Sequence, residues 1–357
     1  MRALITGGAG FIGSHLAESL VLQGHEVTVL DDLSTGSFAN IEHLTRTPGF
    51  RFVPGSVTDA AAVDPLVEGA DVVFHLAAAV GVKLVCEKPI HTINTNVGGT
   101  ETVLAAAHRF GGRRVLVAST SEVYGKNESL PYREDTNIVL GPPDKTRWGY
   151  AASKLIDEFL ALGYAKEHGL PVTVVRLFNT VGPRQSSRYG MVLPNFVRWA
   201  LANEPITIHG DGSQTRSFTW VGDVIWAMQA LINEPRAAGQ VFNIGNGEEI
   251  SIRDLALRVI RMTGSSSELR YVPYEQAFDS SFEDMPRRVP DISKLHRLVG
   301  YEPKVHLESI IEAVIGYWQN GEYSPAVAKA AATRRAARAG APALTGTHSM
   351  ATTATLV

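Results

Sequence analysis

The chain has 357 residues, 45% of them hydrophobic, and a formal net charge of −3, enough to bury a large α/β core with a smaller lobe beside it. No basic field argues for nucleic acid or an anionic membrane as partner, and no apolar run reaches the roughly 18 residues needed to cross a bilayer. The lone Cys86 excludes an internal disulfide, and an N-terminus that enters directly into a strand predicts no signal peptide and a reducing, cytoplasmic setting.

Arg2-Ala-Leu-Ile-Thr6 is a short apolar run suited to a buried parallel strand. Gly7-Gly-Ala-Gly-Phe-Ile-Gly13 follows it, and Ile12 to Leu22 carries apolar residues at helical spacing. Gly8-x-Gly10-x-x-Gly13 thus sits between a strand and a helix, as a dinucleotide fingerprint requires. A second strand, Glu26 to Leu30, ends at Asp31, 18 residues beyond Gly13, where an acid would hold a ribose 2′-hydroxyl. No Arg or Lys lies between Asp31 and Ser37, so a 2′-phosphate would face a carboxylate with no compensating cation. The expected cofactor is NAD, not NADP.

Further strands are predicted at Arg51–Pro54, Asp71–Leu76, Arg114–Ala118 and Val172–Leu177, with helices at Asn96–Arg109 and Gly149–Glu167. This alternation predicts a doubly wound, Rossmann-type parallel sheet with a smaller C-terminal substrate lobe. The cofactor domain is expected over 1–178, with return segments at about 217–245 that include Val224–Ile232 and Gln240–Ile244. Residues 179–216 and 246–323 form the expected substrate lobe, which contains the helix Leu307–Trp318. The stretch 324–357, rich in Ala, Thr, Arg and Gly, reads as a disordered tail. The eleven histidines fall at no metal-ligand spacing, so no metal is expected.

Tyr150-Ala-Ala-Ser-Lys154 lies within a predicted helix, which brings Tyr150 and Lys154 onto one face. A phenol with an ordinary pKa near 10 needs a shift of roughly three units, about 4 kcal/mol, to act as a base at neutrality. Lys154 and the positive nicotinamide ring of NAD are expected to supply it together.

With Ser119-Thr-Ser-Glu-Val-Tyr-Gly125, Arg176-Leu-Phe-Asn179 and Val181-Gly-Pro-Arg184 added, residues 1 to about 320 resemble the extended short-chain dehydrogenase/reductase family. The likeness is to its nucleotide-sugar epimerases, dehydratases and decarboxylases. It implies Thr120, Tyr150 and Lys154 as catalytic residues. NAD is expected against Gly7, Gly10, Phe11, Ile12, Gly13, Asp31, Asp32, Ser34, Thr35, Gly36, Ser56, Val57, Leu76, Ala77, Ala78, Asn96, Ser119, Tyr150 and Lys154. Ser56 is a departure, since relatives carry an aspartate toward the adenine. The resemblance implies substrate contacts from Ser121, Glu122, Asn179, Arg188, Val192, Thr207, His209, Arg216 and Arg288, with Asn179, Arg216 and Arg288 toward a diphosphate.

Ser121 stands where 4,6-dehydratases carry an aspartic acid, so dehydration is set aside. The Tyr-Ala-Ala-Ser-Lys form resembles UDP-glucuronate 4-epimerases, and Arg188 is assigned to the substrate carboxylate. Conversion of UDP-glucuronate to UDP-galacturonate is therefore the expected activity. Glu122 and Arg288 also resemble residues of UDP-glucuronate decarboxylases, so a UDP-xylose-forming decarboxylase stays open, as do a UDP-glucose 4-epimerase and an NAD-sensing binding protein. A homodimer follows from the resemblance.

Overall fold

The computed structural model describes residues 1–188, 191–277 and 283–320. The predicted tail lies outside the described residues. The first half alternates strand and helix: β1 (Arg2–Thr6), α1 (Phe11–Leu22), β2 (Glu26–Asp31), β3 (Phe50–Pro54), α2 (Ala60–Glu68), β4 (Val72–His75), α3 (Val82–Glu87), α4 (Pro89–Arg109), β5 (Arg114–Thr120), α5 (Arg147–His168) and β6 (Val172–Leu177). Shorter elements follow: β7 (Thr180–Val181), α6 (Val192–Leu201), β8 (Ile206–His209), β9 (Thr215–Ser217) and β10 (Thr219–Trp220). The described chain ends with α7 (Val221–Ile232), β11 (Gln240–Ile244), β12 (Glu249–Ser251), α8 (Ile252–Thr263), β13 (Leu269–Val272), α9 (Tyr274–Ala277), α10 (Ser293–Val299) and α11 (Leu307–Asn320).

Seven strands form one parallel sheet in the order β11-β6-β5-β4-β1-β2-β3. The strands read as unbroken apolar runs because helices cover both faces. Leu4, Val73, Val115, Val117 and Val174 pack in one core cluster with Val103, Leu104 and Ala107 of α4. Burying each such side chain contributes about 1.5–3 kcal/mol. Strand order reverses between β1 and β4, which opens the crevice where doubly wound sheets bind ligands.

Helix α4 begins at Pro89, well before the predicted Asn96, with proline in its first turn where a missing N–H costs nothing. The polar run His91-Thr-Ile-Asn-Thr95 hides its periodicity. The amphipathic α8 was not anticipated, although Ser251 caps it by accepting from the Asp254 N–H at 3.0 Å. Among the described residues, no helix is long and apolar enough to cross a membrane.

Candidate active site

The crevice begins at the turn between β1 and α1. Gly7 has φ +71°, and a Cβ there would stand 2.7 Å from the Ala77 nitrogen. A Cβ on Gly13 would stand 2.3 Å from the Gly7 carbonyl oxygen, so glycine lets helix, turn and strand close on one another. Gly10 at the N-cap of α1 provides no side-chain cap, and the first turn holds no acid. Uncapped amides and the positive end of a helix dipole suit a diphosphate, so the residues present fit a dinucleotide.

Asp31 terminates β2, buried, and accepts from the Ala9 N–H at 2.9 Å and the Leu33 N–H at 2.8 Å. Burial raises its pKa, and these amides offset part of the rise. His15 on α1 is hydrogen-bonded to the Pro183 carbonyl at 2.9 Å, which ties α1 to the Val181–Arg184 turn. Burial, with Arg184 nearby, lowers its pKa to about 3.

Strand β5 and helix α5 carry the reactive end. The Thr120 hydroxyl hydrogen-bonds Tyr150, yet the Tyr150 pKa lies well above the ordinary phenol value. Burial is the main cause and the Glu122 charge adds to it. Lys154 alone does not bring the phenol down; the expected lowering has the nicotinamide charge as its second contributor. The Lys154 ammonium is 2.6 Å from Asp157 Oδ2, and both side chains are buried. One turn further along, Glu158 takes a two-pronged ion pair from Arg176, with Nη2 at 2.7 Å and Nε at 2.9 Å, and accepts from Ser119 Oγ. These bonds lock β5, α5 and β6 together behind the site.

Beyond Tyr150 lies a cluster of buried and half-buried charge. Glu122 Oε1 contacts Arg147 Nη2 at 3.3 Å and Arg288 Nη1 at 3.2 Å. Asp284 contacts Arg147 at 2.8 Å, accepts from Arg216 Nη2 through both its oxygens at 2.9 and 3.0 Å, and accepts from the Tyr274 hydroxyl at 2.8 Å. Burial alone would raise both carboxyls, but the arginines outweigh it and hold each below its ordinary value. Burial lowers Arg288 to about 10, and Arg216 pushes the same way.

One cleft of about 1320 Å³ gathers the glycine turn, the 31–36 loop, Thr120, Tyr150, Lys154 and the arginine cluster. Ser121, Asn179, Val192, Thr207 and His209 also line it, as does Arg188, whose side chain is exposed. Two expected residues do not. Ser56 turns its hydroxyl to Thr58 at 2.9 Å, leaving Gly55 and Val57 on the wall. Asn96 is fully buried, accepting from the Ala79 N–H at 2.8 Å and donating to Ser153 Oγ at 3.0 Å, so it braces the loop after β4 against α5.

A sequence profile described as GDP-mannose 4,6 dehydratase matches residues 4–314. The chain belongs to this nucleotide-sugar epimerase/dehydratase family of extended short-chain dehydrogenases. It is 44% identical to a UDP-N-acetyl-alpha-D-glucosaminuronate decarboxylase of Bacillus cytotoxicus over 322 residues, covering 90% of this chain and 98% of that protein. It is 38% identical to UDP-glucuronic acid decarboxylase 1 of Xenopus tropicalis over 91% of this chain and 75% of that one. Among solved structures it is similar to the UDP-glucuronic acid 4-epimerase of Bacillus cereus, in complex with UDP-glucuronic acid and NAD. The TM-score is 0.81 at 30% identity, over 90% of this chain and 100% of that chain.

The motifs did not single out Arg147, Tyr274 and Asp284, which line the cleft, or Asp157, which pairs with Lys154. Arg147 carried a signal. It lies three residues before Tyr150, on the same helix face, in a first turn where the helix dipole disfavours a cation. Asp284 is 137 residues from Arg147 in the chain, and no local pattern joins them.

Proposed function

We propose that the protein is an NAD-dependent decarboxylase of a UDP-linked hexuronate. The observation that carries this reading is Glu122 held between Arg147 and Arg288 beside the Thr120–Tyr150 pair. The similarity to two uronate decarboxylases supports it over the 4-epimerase expectation.

The glycine turn and Asp31 would hold NAD, which when bound would supply a reversible hydride acceptor for C4 of the sugar. Tyr150 takes the C4 hydroxyl proton, with Thr120 sharing the hydrogen bond. The resulting 4-keto uronate is a β-keto acid. Its C5–C6 bond breaks, carbon dioxide leaves, and the electron pair passes to the C4 oxygen as an enolate. An ionised Glu122 near a substrate carboxylate disfavours the charged starting state, and loss of carbon dioxide relieves that repulsion. C5 then needs a proton. Arg288, lowered to about 10 by burial and by Arg216, would release one more readily than an exposed guanidinium does and would regain it from solvent before the next turnover. Tyr150 gives its proton back to the C4 oxygen as the alcohol reforms. Arg216 and Asn179 suit the diphosphate, and Val192, Thr207 and His209 suit the base.

Epimerisation is the second reading, favoured by the Tyr-Ala-Ala-Ser-Lys form and by Arg188 on the cleft lining. It would keep the carboxylate and return the hydride to the other face. NAD-loaded protein incubated with UDP-glucuronate, and separately with its 2-acetamido analogue, decides between them. Carbon dioxide and a UDP-pentose are expected; a C4-epimeric uronate without carbon dioxide would overturn the reading. The exposed Ile90, Ile93, Ile156 and Phe159 on α4 and α5 support a homodimer, which sedimentation at varied concentration tests.

A further inference from the structure

The buried charges of α5 pair off. Glu158 is committed to Arg176 and Ser119, and Glu122, which faces Tyr150, is committed to Arg147 and Arg288. His75 on β4 is packed near Lys154 and bridges the Thr6 hydroxyl at 2.8 Å and the Thr100 hydroxyl at 3.0 Å. It is held neutral by burial, with a pKa of about 3, and brings no negative charge to the lysine. Lys154 itself is 3% exposed, and its one ion-pair partner among the described residues is Asp157, at 2.6 Å. Asp157 is fully buried, and its second oxygen, Oδ1, has no hydrogen-bond partner of good geometry. Among the described residues, the ammonium and, to a smaller extent, the Thr100 hydroxyl offset the cost of burying this carboxylate.

We propose that Asp157 is a positioning residue whose task is to keep Lys154 charged and fixed on the cofactor side of the cleft. A buried ammonium without a counter-ion loses its proton readily, and an amine has one donor fewer and no charge to offer a phenolate. Asp157 does not line the cleft and acts through Lys154. The inference rests on the reading of Tyr150 and Lys154 as the proton-transfer pair.

The test is an Asp157→Asn variant of the full chain, with NAD affinity measured by calorimetry on stripped protein across pH, beside the pH profile of kcat/KM. Wild-type affinity is expected to stay level from neutrality into the alkaline range. In Asp157→Asn the alkaline limb of both curves is expected to move down by roughly one to three units. Asp157→Glu is expected to move it back. An unmoved limb, whatever the loss of rate, would reduce Asp157 to a packing role. If the Asn variant does not fold, Asp157→Ser and the wild-type curve decide, since a wild-type affinity that falls near neutrality overturns the proposal alone. Failure of wild-type protein to bind NAD, or turnover by Tyr150→Phe, would instead sink the functional reading.

Discussion

Glu122 Oε1 and Arg288 Nη1 meet at 3.2 Å across 166 residues of sequence, and Arg147 closes on the same oxygen from the first turn of α5. Three separate stretches of chain are thereby drawn to one point beside Tyr150. Glu122→Gln keeps the shape and removes the charge. Carbon dioxide release is expected to fall by about 100-fold, as losing roughly 3 kcal/mol of charge repulsion against the substrate carboxylate would cause. NAD retention should be unchanged. A large fall in Tm with normal kcat would mark Glu122 as structural.

Tyr150→Phe removes the phenol and leaves the ring in its packed position. Turnover is expected to drop by about 10²–10⁴-fold, with NAD still bound. Absorbance of the reduced cofactor after substrate addition checks it, because the variant should produce none.

Gly7→Ala addresses the turn. A side chain at φ +71° is strained by about 1–3 kcal/mol, and its Cβ would meet the Ala77 backbone at 2.7 Å. Chemical denaturation should report a loss of at least that size, together with loss of retained NAD. A variant as stable as wild type would contradict the close approach of β1 and β4.

His75 gives a pH prediction whose sign is fixed. Its folded pKa is about 3 against an ordinary 6.5, so the unfolded chain takes up the proton first. Its contribution to stability is complete above pH 6.5 and is lost as pH falls toward 3. Thermal melts of His75→Gln should depend less steeply on pH within that window than melts of wild type. Parallel curves would remove the assignment.

The parallel sheet was legible because strands buried on both faces leave continuous runs such as Ala3-Leu-Ile5 and Val172-Thr-Val-Val175. The glycine turn and the Tyr150–Lys154 spacing were legible because local backbone rules impose them. The state of Tyr150 was not. It depends on burial and on Glu122, which a helix-face argument on Lys154 cannot see. Asp157 was masked for the same reason: three residues from Lys154, it reads as a surface ion pair until burial is known. Asp284 was beyond reach, since among the described residues its side-chain partners are Arg147, Arg216 and Tyr274, which no local motif joins to it.

Strands β6 and β11 lie side by side, in register from Thr173 with Gln240 to Leu177 with Ile244. The chain between them therefore leaves the sheet and returns to the neighbouring rung. Such a stretch can lengthen, shorten or change its side chains while both anchors keep their hydrogen bonds. Within this excursion lie Asn179, Arg188, Val192, Thr207, His209 and Arg216. A family that must greet many sugars with one redox partner gains a region it can rewrite without disturbing the rungs on either side.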